Sequence, residues 1–316
     1  MSDAAFANLP HILVIAGPTG AGKSALAMEL AKQLAGEIVC VDSLTVYRGL
    51  DIGSAKATGK DQAEVRHHLL DIVSPDQPFT AADFRTAATA AIADIVGRGK
   101  LPILAGGSGL YLRVLLGGLV DAPGEDLQLR QHLQARAKQE GTVALFNELK
   151  KVDPQTAAGL HQNNLVRIIR ALEVWQLTGV PLSQFQQQHG FAARPYRTLQ
   201  YLLNPPRELL YKRINQRVEQ MLAAGLVDEY RKLLSAGVPV DAKSLNAIGY
   251  KETALFLAGR LTAEMLSETI ARNTRHYAKR QLTWFKREKE MLEIPYPPDV
   301  ADIVRQVEAW LVKEVQ

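Results

Sequence analysis

Cysteine is nearly missing from this chain: Cys40 is the one thiol among 316 residues. A disulfide framework and a Cys-rich zinc site are both excluded, and a reducing compartment suits the composition. No uninterrupted apolar run is long enough to span a bilayer. The opening MSDAAFANLP has neither a basic segment nor a long apolar stretch, so no secretory leader is expected. A soluble, cytoplasmic monomer with no membrane partner is the expectation. Internal repeats and low-complexity segments are absent as well. The net charge is only +4. That excess is compatible with nucleic acid without demanding it, so the placement of the charge matters more than its total.

The remainder is an ordinary globular balance, with 47% apolar and 22% charged residues. The length suits one large domain or two modest ones. HILVIA (11–16) is a short β-branched run that stops at Gly17, and a helical pattern follows with Leu26, Leu30 and Leu34 four apart. EIVCVD (37–42), LPILAG (101–106) and TLQYLL (198–203) read as further strands, and their near-continuous apolarity predicts a parallel sheet covered on both faces. A helix is predicted from Thr80, with Asp83 three residues on as a capping-box variant. A short strand at MLEIPY and a last amphipathic helix from Asp299 complete this part. Between them, residues 121–197 hold helical patterns and no convincing strand. NNLVRIIRALEVWQL is the strongest, with Leu165, Ile168, Leu172 and Trp175 on one face. The expected architecture is a doubly wound α/β core from residues 1–120 and 198–316, interrupted by a helical insertion at 121–197.

The chemistry starts at GPTGAGKS, that is Gly17, Pro18, Thr19, Gly20, Ala21, Gly22, Lys23 and Ser24. Glycines at this spacing let successive backbone N–H groups converge on phosphate oxygens, and a helix N-terminus adds partial positive charge. Lys23 supplies a point charge, and Ser24 can ligate Mg²⁺. A strand before and a helix after make this a P-loop. The motif reports phosphate binding and leaves the reaction open. Asp42 closes the next strand, so it should emerge at the carboxyl edge of the sheet beside that loop. It reads either as a helix N-cap or Mg²⁺-supporting carboxylate, or as a general base beside the phosphates. Asp51 reads as a turn residue.

GGSGLY (106–111) follows a strand where a P-loop NTPase often places its Walker-B Asp, and no Asp stands there. That weakens a nucleotide-hydrolysis reading. Its small residues suit either close approach of a ligand or a tight strand-to-helix turn. From Arg272 to Lys289 the chain carries seven cations against Glu288 alone, with His276, Tyr277, Trp284 and Phe285 interleaved. From His161 to Gln200 there are four arginines against Glu173. Positive charge is thus segregated, which favours a nucleic-acid surface over a merely solvated face. His67 and His68, adjacent on a strand, would point to opposite faces and make a poor chelate.

Taken in order, GPTGAGKS, DSLTVYRGLDIGSAK, HHLLDIVSP, GGSGLYLRVLLGGL, RIIRALEV, INQRVEQML, AIGYKE and RHYAKRQLTWF resemble the tRNA dimethylallyltransferase family, also called the tRNA isopentenyltransferase or IPP transferase family. The resemblance covers nearly the whole chain. It implies a P-loop NTPase-like fold whose loop holds the diphosphate of dimethylallyl diphosphate. The prenyl group would pass to N6 of the adenosine just 3′ of the anticodon, in tRNAs reading codons that begin with U. On this resemblance Asp42 would take the amine proton, and Thr19, Lys23, Ser24 and Arg217 would hold the diphosphate and Mg²⁺. Contacts to the tRNA anticodon stem-loop would come from Asp42, Ser43, Leu44 and Thr45, from Ser108 and Arg130, and from Val166, Arg167, Ile168, Ile169 and Arg170. Ala247, Ile248, Gly249, Tyr250, Lys251 and Glu252 would join them, with Arg275 and Lys279 on the basic run. Thr45 stands where many members have Gln, Ser108 and Ser24 where Thr is common, and no C-terminal zinc finger is matched. The competing readings are a P-loop kinase for a small molecule or nucleoside, and an NTP-dependent RNA-binding protein.

Overall fold

The computed structural model describes residues 9–190 and 193–312. The opening residues 1–8, in which no leader was read, lie outside the described residues. Six strands among the described residues form one parallel sheet: β1 (His11–Ala16), β2 (Gly36–Val41), β3 (His67–His68), β4 (Leu101–Gly106), β5 (Arg197–Leu203) and β6 (Met291–Ile294). Their order across the sheet is β3-β2-β4-β1-β5-β6. After β1 the chain winds to one side, through β2, β3 and β4. It then returns to the other side of β1 as β5. The reversal falls at β1, and such a switch point opens a crevice at the carboxyl ends of the strands.

Two apolar layers follow from the two-residue period of the strands. Ile12, Val14, Val39, Val41 and Leu104 pack against Phe84, Ala88, Ile92 and Ile95 of the helix Ala81–Gly97. Leu13, Ile15, Ile38 and Ile103 face the other way, onto Leu26, Ala27, Leu30 and Ala31 of the helix Lys23–Gln33 and onto Ile303 and Val307 near the C-terminus. The helix from Ala81 starts at the predicted capping box, with Thr80 accepting from the Asp83 N–H and Asp83 from the Thr80 N–H.

In chain order the first helices of this unit are α1 (Lys23–Gln33), α2 (Gly59–Glu64), α3 (Ala81–Gly97) and α4 (Gly109–Gly117). After the insertion come α10 (Arg207–Ala223), α11 (Leu226–Ser235), α12 (Tyr250–Leu257), α13 (Ala263–Phe285) and α14 (Val300–Val312). The segment after β2 packs Val46, Tyr47 and Leu50 against Val218, Leu226, Tyr230, Tyr250 and Ile270 of these later helices. No helix of the described residues is long and apolar enough to cross a membrane.

Residues Gly117–Ala193 form a second compact unit. It contains α5 (Leu127–Glu140), α6 (Thr142–Val152), α7 (Pro154–Ala158), α8 (Leu165–Thr178) and α9 (Leu182–His189) around Leu133, Leu145, Leu149, Ile168 and Leu172. Glu173 is fully buried there. It accepts from the Asp126 N–H at 2.9 Å, from Arg130 at 2.9 and 3.0 Å, and from Arg170 at 2.6 Å. Arg170 also donates to the carbonyls of Pro123 and Gly124, which fixes the entry to α5.

Candidate active site

The P-loop leaves the end of β1 through backbone that only glycine adopts comfortably. Gly17 has φ +150°, and a Cβ there would stand 2.6 Å from the carbonyl oxygen of Leu203 at the end of the neighbouring strand. Gly22, at φ +97°, is the left-handed N-cap of α1. No side chain caps α1 and no acidic residue stands in its first turn. Its free N–H groups and positive dipole end therefore remain available to an anion.

A cavity of about 810 Å³ opens beside this loop, lined by Thr19, Lys23, Ser24, Asp42, Arg217 and Gln281 among others. A second cavity, of about 350 Å³, is lined by Gly20, Gly22, Arg213 and Gln220, and it shares Lys23, Ser24, Ala25 and Arg217 with the first. Lys23 and Arg217 thus stand between the two spaces. The Lys23 ammonium donates to the Pro18 carbonyl at 2.7 Å. Burial first, and then Arg217, lower the Lys23 pKa to about 8, against the pull of Asp42. Burial likewise depresses Arg217, and Asp42 opposes it. Arg217 also reaches the Ser54 carbonyl at 3.4 Å.

Asp42 emerges at the carboxyl edge of the sheet, as expected. Its Oδ1 accepts the Leu44 N–H at 2.8 Å, a side-chain turn two residues ahead. The N-cap reading is corrected by this geometry, because no helix begins until α2. Burial raises its pKa, while the Leu44 N–H, Lys23, Arg217 and the Thr45 N–H all pull it down. The result is a recessed carboxylate with enhanced proton affinity, kept near two cations. Asp51 is the turn residue it was read to be, and it pairs with Lys56 at 2.5 Å.

The glycines after β4 make the tight strand-to-helix turn that was one of the two expectations, since β4 ends at Gly106 and α4 begins at Gly109. A Cβ on Gly107 would stand 2.2 Å from the Gln281 amide nitrogen, and one on Gly109 would stand 2.3 Å from the Trp284 ring. The vacated space is filled by α13 of the same protein. The same helix is the basic run of the sequence, and Arg272, Lys279 and Arg280 are exposed on it. Arg275 is half-buried and donates to Asn215 at 2.6 Å. Tyr277 lines the cavity, with its phenol pushed up to about 12 by burial.

Burial divides the expected RNA contacts between core, cavity and surface. Ile168 and Ile169 are core residues of the insertion, whereas Val166 is 80% exposed and Arg167 is exposed too. Five consecutive helical residues turn through more than a full circle, so they cannot share one face. Tyr250 and Glu252 are buried behind Ala247, Ile248 and Gly249, which line the cavity, and Lys251 is exposed. The Thr45 side chain is buried with its hydroxyl unpartnered.

Glu229 and Gln281 carry weight that the sequence did not signal. Glu229 accepts the N–H groups of Asp51, Ile52 and Gly53 at 2.7–3.1 Å and the Tyr250 hydroxyl at 2.7 Å, fixing the loop that meets Arg217. Their partners lie far away in the chain, and no local pattern marks them. The histidines do not chelate. His68 bonds to Glu37 at 2.7 Å and His67 to the Val65 carbonyl at 2.8 Å. Among the described residues no group of three or more His, Cys, Asp or Glu could hold a metal ion. The hard oxygens of Ser24 and Asp42 beside the anion cradle do fit Mg²⁺ shared with a bound phosphate.

The family model for IPP transferase matches residues 45–288. A tRNA dimethylallyltransferase 1 of Trichlorobacter lovleyi is 61% identical over 294 residues, covering 93% of this chain and 96% of that one. One from Pelobacter propionicus is 52% identical over 96% of this chain and 98% of its own. A solved tRNA isopentenylpyrophosphate transferase from Bacillus halodurans superposes with a TM-score of 0.71 at 39% identity, covering 96% and 98% of the two chains. A eukaryotic dimethylallyltransferase solved while acting on tRNA gives a TM-score of 0.76 at 28% identity, over 90% of this chain and 73% of that one. With its P-loop, its recessed Asp42 and these likenesses along nearly all its length, the chain belongs to the IPP transferase family.

Proposed function

We propose that this protein transfers the dimethylallyl group of dimethylallyl diphosphate to N6 of the adenosine 3′ to the anticodon of tRNA, releasing diphosphate. The single observation that carries the reading is a recessed, half-buried Asp42 flanked by Lys23 and Arg217 in one cavity at a P-loop. An adenine amine is a weak nucleophile, because its lone pair is delocalised into the ring. Rate must then come from alignment, from proton removal and from stabilising the leaving group. Asp42 accepts the N6 proton as the N6–C1 bond forms. The C1–O bond of the donor breaks, and its electron pair stays on the diphosphate. Lys23, Arg217 and the free N–H groups of α1 neutralise that developing charge. Mg²⁺, held by Ser24 and the diphosphate oxygens, would add further charge neutralisation there. Attack by water is unwanted, which suits a site whose β4 edge carries no acidic residue to orient it.

The target base must leave its stack to enter the cavity. Exposed Lys279 and Arg280 suit the phosphate backbone, and exposed Val166 and Arg167 give the helical unit a surface for the anticodon stem-loop. We place the protein in the cytoplasm, acting as a monomer.

The test is mass spectrometry of nucleosides from tRNA incubated with the protein, Mg²⁺ and dimethylallyl diphosphate, with ATP replacing the donor in a parallel reaction. Prenylated adenosine in the first reaction alone is the expected result. ADP in the second with no prenyl product in the first would replace the reading with a kinase.

A further inference from the structure

Gln281 lies where the P-loop, the end of β4 and the basic helix meet. Lys279 and Arg280, just before it on α13, are exposed, whereas Gln281 turns inward and is only 6% exposed. Its side-chain carbonyl accepts the Thr19 N–H at 2.9 Å. Its amide donates to the Gly107 carbonyl at 2.9 Å. A buried amide left unpaired at either end is costly, so this double engagement fixes which way the side chain faces. Gly107 completes the fit, because any Cβ there would collide with the amide.

The consequence reaches the chemistry through Thr19. A P-loop normally turns its N–H groups toward the anion. Here the Thr19 N–H is turned to Gln281, so Thr19 meets the cavity with its side chain while its backbone is held from behind. We propose that Gln281 is a positioning residue for the transfer step. It holds Thr19 and the end of β4 in register, so that the P-loop and Asp42 face one reacting centre. Although it also lines the cavity, its role runs through Thr19 rather than through a contact of its own with the donor or the RNA. The proposal rests on the reading of the P-loop as the diphosphate site.

Gln281→Leu removes both hydrogen bonds, and Gln281→Met, close to glutamine in length but without the amide, repeats the test should the first variant fold poorly. Expected is a fall in kcat on the order of 10²-fold, the size of an ångström-scale misplacement, with tRNA affinity within about twofold of the parent. Binding of inorganic diphosphate to the free protein, followed by calorimetry, should weaken by about tenfold, since the loop is no longer pre-set. Because Gln281 acts through Thr19, adding Gln281→Leu to Thr19→Ala should cost little more than Thr19→Ala alone. An unchanged kcat overturns the proposal. So do fully additive losses, or a loss confined to tRNA affinity, which would make Gln281 an RNA contact. If the parent protein yields no prenyl product, the donor reading fails on its own. Diphosphate affinity in the variant then still decides whether Gln281 sets the loop.

Discussion

Glu37, near the start of β2, and Asp42, just past its end, are the same kind of group on one short strand. They live in opposite surroundings. Glu37 is buried and fully partnered: Arg98 grips it with both terminal guanidinium nitrogens, His68 bonds at 2.7 Å and the Lys100 ammonium stands at 3.1 Å. The Arg98 hydrogen bonds hold its carboxyl far below the ordinary carboxylate range. Asp42 has hydrogen bonds from backbone N–H groups only, and burial pushes its proton affinity up. A carboxylate whose lone pairs are all engaged is finished chemically and serves stability. One left under-coordinated at the carboxyl edge of the sheet can still take a proton from something that arrives.

This contrast breaks most easily at Asp42. Asp42→Ala should lower turnover by about 10²–10⁴-fold, the range of general-base effects, while the melting temperature and tRNA affinity stay close to those of the parent. A collapse of tRNA binding instead would make Asp42 a recognition residue. Glu37→Gln should do the reverse. The cations left behind, Arg98 and Lys100, are partly exposed, so the loss should be about 1.5–3 kcal/mol, the worth of hydrogen bonds to a charged group, read as a lower denaturation midpoint with turnover per folded molecule unchanged. The sign with pH is definite. The depressed folded pKa means that Glu37 stabilises the protein above its ordinary value of 4.5, and that this contribution is lost as pH falls toward the folded value. The acid limb of the stability curve should therefore flatten in Glu37→Gln, and an unaltered limb would remove Glu37 from the account.

Lys23 sharpens the comparison from the cationic side. Its ammonium, lowered to about 8, is the form that attracts diphosphate. The KM for the donor should rise above pH 8, by up to about tenfold per pH unit, and Lys23→Ala should abolish that rise. A flat profile would mean that Lys23 is not a ligand. The smallest effect is expected at the rim. Lys279→Ala should reduce the salt slope of tRNA binding by about 0.7–0.9, the contribution of one phosphate contact. No change would turn that part of α13 away from the RNA.

The strands His11–Ala16 and Leu101–Gly106 were legible residue for residue, because apolar runs bounded by glycine leave few alternatives. The start of α3 was legible because Thr80 and Asp83 form a local reciprocal pair. The P-loop and Asp42 were legible for the same reason, as motifs set by near neighbours. Locality also marks the limit. Gln281 and Glu229 act on partners more than 170 residues away, and nothing in RHYAKRQLTWF or VDEYRKLL announces it. The glycines after β4 were seen to need space, but the sequence did not say that Gln281 and Trp284 occupy it. Ile168 and Ile169 were included among the tRNA contacts only because the resemblance carried over the contiguous stretch 166–170, whereas the helical periodicity had already put Ile168 on the apolar face, and both lie in the core.

The position of β1 between β4 and β5 has a consequence during synthesis. Ala16 lies opposite both Gly106 and Leu202, so one edge of β1 waits unpaired until β5 emerges from the ribosome. At about 5–20 residues per second, that wait lasts on the order of ten seconds or more. The whole of Gly117–Ala193 is made within it, and as a compact helical unit it can settle from its own local contacts. Gly17 meets the Leu203 carbonyl only after that, and Thr19 meets Gln281 later still. The anion cradle, translated among the first two dozen residues, is thus among the last parts of the molecule to take its final shape.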